Sequence, residues 1–124
     1  MRAIRLPAEE TSVPTARHFV AEVAGDLPDP DVVALVTSEL VTNVIRHART
    51  EVEVRVHPGL PLRVEVRDGA APSETFRELL SAPPLPAAAG EQHGRGLAIV
   101  RSLVSRIGLE DLPGGGKIIW FELE

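Results

Sequence analysis

Residues 38–48 read Ser-Glu-Leu-Val-Thr-Asn-Val-Ile-Arg-His-Ala, a helical apolar pattern that carries a carboxylate and an amide four residues apart. Because an α-helix turns by about 100° per residue, Glu39 and Asn43 point in nearly the same direction. Measured from Glu39, the apolar side chains of residues 32–44 fill an arc from roughly −40° to +140°. They are Val32, Val33, Leu35, Val36, Leu40 and Val44.

Glu39 and Asn43 lie inside this arc, at roughly 0° and +40°, where a core helix would carry leucine. Burying a carboxylate costs several kcal/mol unless another group pairs with it, so a functional role is one interpretation. The other is that both residues sit at the edge of the arc, solvated or bonded to nearby backbone. Taken alone, this stretch favours the second interpretation, and the rest of the chain changes the balance.

The composition is that of a single globular domain, which we expect to span residues 1–124. Hydrophobic residues make up 44% and charged residues 25% of the chain. The net charge of −5, without a lysine and arginine cluster, argues against nucleic acid or an anionic membrane as a partner. Cysteine is absent, which excludes disulfides and thiolate metal sites. Without a membrane-length apolar run or a signal sequence, a cytoplasmic protein is expected.

The order of predicted elements favours an α+β fold. A short edge strand over 3–7 precedes a helix that Ser12 is expected to cap and that ends near Gly25. Asp29 and Pro30 open a second helix, which runs to about residue 47. Strict alternation over 51–56 and 62–67 predicts a hairpin with one apolar face, and a mobile loop is expected over 81–96. A helix over 97–107, a further strand over 107–111 and a last strand over 117–123 complete the chain.

Helices and strands do not alternate regularly, so a parallel doubly wound sheet is not expected. The sequence instead predicts a two-layer α/β sandwich, with helices on one face of a mixed, mostly antiparallel sheet. No internal repeat is visible.

Asp68 and Gly69 follow the second strand of the predicted hairpin. A carboxylate at this strand end could accept a hydrogen bond from a ligand amino group, such as the exocyclic amine of adenine. The alternative is that Asp-Gly simply forms a turn, and the dipeptide alone favours that alternative.

Gly94, Arg95 and Gly96 come directly before the predicted helix that starts at Leu97. Glycines let the backbone approach a ligand closely, and the first turn of a helix offers free N–H groups to an anion. The signal is weak by itself, since glycines before a helix are often only flexible. It matches neither the dinucleotide-binding fingerprint nor the Walker loop.

Together these three features are typical of a nucleotide site. A carboxylate and an amide suit Mg²⁺ and a general base, since Mg²⁺ prefers a few hard oxygen ligands together with phosphate oxygens. A glycine-flanked helix start suits phosphates, and a mobile loop before it suits a lid.

This combination resembles the GHKL ATPase superfamily, whose fold is the Bergerat or histidine-kinase-like ATPase fold, over nearly the whole chain. Within the superfamily it looks most like the small anti-sigma-factor serine kinases and their relatives in actinobacteria. The most specific match is 38–48, which resembles the N box. Residues 64–69 resemble the strand leading into the first glycine box, 94–100 the second glycine box, and 116–123 the closing strand.

The resemblance implies that Glu39 is the general base and Asn43 the Mg²⁺ ligand. It implies that Asp68, with Gly69, holds the adenine amino group of ATP or ADP. Residues at the second glycine box, which are Gly94, Arg95, Gly96 and Leu97, would wrap the phosphates.

The activity implied by the resemblance is transfer of the γ-phosphate of ATP to a serine of a small STAS-type anti-anti-sigma partner, which regulates transcription through sigma-factor availability. The unphosphorylated partner and the sigma factor compete for the kinase, which is usually a homodimer. Arg17, on the exposed side of the first helix, is a candidate for docking a partner, although a plain surface charge is the simpler interpretation.

The chain departs from the family pattern at the first glycine box. The usual Asp-x-Gly-x-Gly is replaced by Asp68, Gly69, two alanines and a proline. The alternative expectation is therefore a module that sequesters a sigma or anti-anti-sigma factor without transferring phosphate. Lys117, at the start of the last strand, could approach the nucleotide, but a lysine at a strand end is usually a solvated edge charge.

Overall fold

The structure is a computed structural model that describes residues 1–26, 29–71, 77 and 99–124. Two helices and five strands carry the architecture, and residues 99–103 are also helical. The helices are α1 (Ser12–Ala24) and α2 (Pro30–Asn43), and α2 continues into a π-helical turn over Val44–Ala48. The strands are β1 (Arg2–Leu6), β2 (Val52–His57), β3 (Leu62–Asp68), β4 (Arg106–Asp111) and β5 (Lys117–Leu123).

The five strands form one sheet in the order β1-β2-β3-β5-β4, and all four pairings are antiparallel. Both α1 and α2 contact the sheet and each other. The predicted α+β sandwich is therefore confirmed, with β1 at a sheet edge as its proline-ended pattern indicated.

The core lies between the two helices and one face of the sheet. Alternation places every second side chain of β2 and β3 on this face, because successive residues of a strand point to opposite sides. Their buried members are Val52, Val54, Val56, Leu62, Val64 and Val66, each no more than 1% exposed. Phe121 of β5 and Leu40 of α2 are the largest fully buried side chains that meet them.

The beginnings of the two helices differ in how well the sequence predicted them. Asp29 caps α2 as expected, because its carboxylate accepts a hydrogen bond from the Val32 amide over 3.3 Å. The prediction that Ser12 caps α1 is wrong, since Thr11 occupies the cap position. Ser12 is instead buried in the first turn, where its hydroxyl donates to the Pro7 carbonyl over 2.7 Å. That bond ties α1 to the end of β1.

The helix predicted over 97–107 is wrong in its second half. The helical residues end at Leu103, the chain bends, and β4 begins at Arg106. Spacing alone allowed both structures, because Ile107 fits a helical stripe through residues 100 and 103 and also alternates with Leu109. The strand prevails because Ile107 pairs with Phe121 and packs against the core.

The opposite face of the sheet carries charged side chains and the chain's single tryptophan. Glu53 lies between the guanidinium groups of Arg55 and Arg5, at 2.6 and 3.3 Å. The indole of Trp120 packs directly against Gly108, and the Arg63 guanidinium lies 4.2 Å from the ring centroid. A side chain at Gly108 would collide with the indole, so this strand position requires glycine.

Within the residues that the structure describes, no helix is both long and apolar enough to cross a bilayer.

Candidate functional site

Glu39 and Asn43 lie half-buried on one side of α2, one turn apart. In the described part of the chain, neither side chain takes part in a hydrogen bond or an ion pair. Leu35, one turn before Glu39, is 42% exposed, which corrects its expected place in the buried arc. Residues 35, 39 and 43 therefore lie along a side of α2 that the described core residues do not cover.

This side of α2 offers the groups that a metal–phosphate complex needs. An amide oxygen is a hard ligand for Mg²⁺, and an unpaired carboxylate can orient a hydroxyl and take up its proton. Asn43 is also the last α-helical residue before the π-helical turn, a local distortion often found at functional sites. The residue pattern did not predict that turn, because its residues are typical of an ordinary helix.

Arg17 contacts the same helix from α1. Its guanidinium donates to the Ser38 hydroxyl over 3.3 Å, and that hydroxyl donates to the Ala34 carbonyl over 2.7 Å. The predicted docking residue thus lies beside the residue that precedes Glu39.

Asp68 is the last residue of β3, and its side chain is completely buried. Its Oδ1 accepts a hydrogen bond of 2.8 Å from the Ala70 amide, which closes a turn of the kind that aspartate favours. The Gly69 amide donates to the Thr50 hydroxyl over 2.9 Å, which fixes the turn to the start of β2. The turn expected as the alternative is therefore present, and it leaves one carboxylate oxygen uncommitted to it.

Lys117 is buried and paired with Asp68, so the prediction of a solvated edge charge is wrong. Its ammonium nitrogen lies 2.9 Å from Oδ1 and 2.7 Å from Oδ2 of Asp68, and only the contact to Oδ1 has hydrogen-bond geometry. The two residues face each other across the β3–β5 register. Lys117 shares its strand face with Ile119, Phe121 and Leu123, all of which are buried.

Oδ2 of Asp68 is a buried acceptor to which none of the described residues donates a hydrogen bond. Buried polar atoms in native proteins nearly always take part in a hydrogen bond, whereas Oδ2 has only its ion-pair contact with the Lys117 ammonium at 2.7 Å. An amino group of a ligand would provide the missing donor. The residues present therefore fit the adenine end of a nucleotide at this position.

Gly116 lets β5 approach this corner closely. Its φ is +91°, and a Cβ there would lie 2.6 Å from the Asp68 carbonyl oxygen. Only glycine combines this backbone conformation with this contact.

An open cleft of about 260 Å³ lies at the same end of the sheet, lined by Asp68, Gly69 and Thr50 together with charged residues of β1–β3. It lies away from Glu39 and Asn43, neither of which lines it. It is also below the roughly 300–1,000 Å³ of a typical ligand pocket. We therefore do not assign the nucleotide to this cleft.

The second glycine box cannot be compared with the prediction, because Gly94, Arg95, Gly96 and Leu97 lie outside the described residues. The same holds for the loop predicted over 81–96. Among the residues that are described, no group of three or more histidine, aspartate or glutamate side chains could hold a metal ion.

Sequence reasoning noticed Lys117 but not its burial, and it did not single out Thr50 or Gly116 as residues that shape this corner. Strand parity could have predicted the burial of Lys117, because it alternates with three large apolar residues that must face the core. The run of three glycines at 114–116 indicated a turn but not which glycine meets Asp68. Thr50 gave no signal, since its bond to Gly69 joins residues that are distant in sequence.

Comparison with known families gives one finding that spans almost the whole chain. The family model described as histidine kinase-like ATPase domain matches residues 6–123. A search of curated proteins found no match.

Proposed function

This chain belongs to the histidine kinase-like ATPase family, and on that premise we propose that it binds ATP with Mg²⁺ and transfers the γ-phosphate to a serine of an anti-anti-sigma partner. The transfer would regulate the availability of a sigma factor. We further propose that the protein acts in the cytoplasm as a homodimer, as its resemblance to anti-sigma-factor serine kinases implies.

The observation that supports this proposal best is that Glu39 and Asn43 lie on a helix that packs against the strand ending in Asp68. Helix α2 contacts β3, so the helix that presents Glu39 and Asn43 adjoins the strand that ends in Asp68. One element offers phosphate chemistry and the other offers a buried acceptor for an amino group. That division suits a ligand with a base at one end and phosphates at the other.

In this proposal Asp68 receives the adenine amino group through Oδ2, and Asn43 provides an amide oxygen to Mg²⁺. The ion, when bound, would neutralise phosphate charge. Glu39 takes up the proton of the attacking serine hydroxyl. As it does so, the serine oxygen bonds to the γ-phosphorus, and the bond from that phosphorus to the bridging oxygen of ADP breaks.

Calorimetry and phosphoryl transfer together test the assignment of these roles. We expect Mg·ATP to bind the wild type and to bind Asn43→Ala more weakly, with a smaller dependence on Mg²⁺, because a metal ligand is lost. Glu39→Gln should retain nucleotide binding and lose labelling of the partner serine by γ-labelled ATP by about 10² or more, because the general base is lost.

Glu22→Gln is the matched control for Glu39→Gln, since Glu22 is a glutamate on α1 whose side chain is 73% exposed and forms a 4.0 Å ion pair with Arg2. It should label the partner like the wild type. Labelling that survives in Glu39→Gln would remove Glu39 as the base, and no binding of Mg·ATP to the wild type would refute the proposal as a whole.

A binding module without phosphoryl transfer is the second candidate. Two observations favour this second candidate. The Lys117–Asp68 pair occupies part of the position expected for adenine, and the residues after Asp68 depart from the family's glycine pattern. A stable complex with a sigma or anti-anti-sigma factor that ATP does not alter, and in which no serine is phosphorylated, would support it.

A further inference from the structure

The chain has one lysine, and it lies against the carboxylate proposed to receive the adenine. The Lys117 ammonium reaches both oxygens of Asp68 and also lies 3.5 Å from the Ala70 carbonyl. Oδ1 accepts hydrogen bonds from the Ala70 amide and from the Lys117 ammonium, so both of its lone pairs are used. Only Oδ2 keeps acceptor capacity for a further donor.

A carboxylate buried to this degree needs a counter-charge to stay ionised. An ionised carboxylate accepts hydrogen bonds only, whereas a neutral carboxyl group can also donate one. Burial without a counter-charge favours the neutral form. The ammonium of Lys117, which can only donate hydrogen bonds, is therefore matched by its contacts to the acceptor-only form of Asp68.

Whether Asp68 can only accept a hydrogen bond or can also donate one determines which of two classes of purine it binds. A 6-amino purine offers a donor at position 6, which an acceptor-only carboxylate binds. A 6-oxo purine offers an acceptor at the same position, which repels an ionised carboxylate but can be bound by a neutral carboxyl group. Discrimination of this kind is strong when the mismatched group is buried and left unpaired.

We propose that Lys117 is a specificity-determining positioning residue, which keeps Asp68 an acceptor and thereby selects 6-amino over 6-oxo purine nucleotides. The inference rests on the proposed nucleotide site and assigns Lys117 no contact with the nucleotide. A purely structural ion pair would contribute to stability without affecting this selection.

The test compares ATP with inosine triphosphate, which has the same ribose and triphosphate and differs in its 6-oxo group and in the hydrogen on N1 that accompanies it. Calorimetry in Mg²⁺ gives the dissociation constants of both for the wild type, Lys117→Met and Lys117→Arg. Methionine keeps an unbranched stem without the charge, and arginine keeps the charge. Unfolding midpoints measured on the same samples report any loss of stability separately.

We expect the wild type to prefer ATP, Lys117→Met to reduce that preference by about tenfold or more, and Lys117→Arg to retain most of it. An unchanged ratio in Lys117→Met would overturn the proposal, whatever happens to stability or to the two affinities in parallel. If Lys117→Met does not fold, Lys117→Gln supplies an uncharged donor to Asp68 and should also lower the ratio, and an unchanged ratio there overturns the proposal equally. Failure of the wild type to bind either nucleotide is a different result, because it would refute the nucleotide site itself.

Discussion

Gly116 shows how one backbone conformation permits the corner around Asp68. Its φ of +91° is unfavourable for any residue with a side chain, and a Cβ there would press on the Asp68 carbonyl oxygen at 2.6 Å. That oxygen belongs to the backbone of a sheet strand, so it cannot move aside as a flexible side chain would. Gly114, two residues earlier, has a similar φ of +85° and no atom within 4 Å of a built Cβ.

Gly116→Ala should therefore destabilise the fold more than Gly114→Ala, by about 1–3 kcal/mol, the usual cost of overpacking. Both variants carry the same strain from positive φ, so their difference isolates the contact with Asp68. Urea unfolding followed by circular dichroism measures it. Equal losses in the two variants would show that the chain around Asp68 can relax.

Individual side chains were predicted unevenly from the sequence, and the reason is physical. The prediction that Asp29 caps α2 was correct, because its hydrogen bond with the Val32 amide lies within one turn and depends on local sequence alone. Lys117 was predicted wrongly because its burial depends on a partner 49 residues away. Glu39 and Asn43 were placed correctly on one helix side, but their roles remain predictions.

At the scale of elements, the edge strand β1 is joined to β2 by charge as well as by backbone pairing. Glu53 lies opposite Arg5 in the register and beside Arg55 on the outer face of the sheet. Burial alone would raise the pKa of Glu53. The hydrogen bonds and charges of Arg55 and Arg5 outweigh burial and hold this pKa below its ordinary value of 4.5.

Because the folded-state pKa of Glu53 is lowered, its contribution to stability is present above pH 4.5 and is lost as the pH falls through the folded value. Glu53→Gln should accordingly be less stable than the wild type at neutral pH, and the difference should shrink at lower pH, down to about pH 3. Urea unfolding across this range measures the difference. Glu22→Gln serves as the control, and a difference for Glu53→Gln that stays constant with pH would contradict the assignment.

Strands were predictable from the sequence where one face of the strand is buried and apolar residues therefore recur at every second position. The hairpin of β2 and β3 and the last strand β5 follow from alternation, since each buries every second residue. The strand over 107–111 was predicted and is β4, but the end of the helix at Leu103 was not, because Ile107 satisfies both periods. The π-helical turn after Asn43 was missed for a similar reason, as its residues read as ordinary helix.

At the scale of the whole molecule, a ligand that joins α2 to β3 should stabilise the entire fold. Binding to the native state alone raises the free energy of unfolding by about 2.7 kcal/mol at a ligand concentration of 100 times Kd. We expect saturating Mg·ATP to raise the Tm of the wild type by several degrees, measured by calorimetry. Asp68→Asn should lose most of this increase relative to its own ligand-free Tm, because it lacks the acceptor carboxylate.

Asp31→Asn is the control for that comparison, since Asp31 is exposed in the first turn of α2 and the same chemical change is made there. It should keep the full increase. An increase in Tm that is as large in Asp68→Asn as in the wild type would place the base of the nucleotide elsewhere.

Trp120 gives the molecule a built-in optical probe. It is the only tryptophan, the chain has no tyrosine, and its indole is enclosed by Gly108 of β4 and Arg63 of β3. Emission excited in the near ultraviolet therefore arises from a single ring that senses three neighbouring strands. Because this ring lies on the sheet face opposite α2, a change in its spectrum reports separation of those strands, and a ligand on the helical side should leave the colour of its emission nearly unaltered.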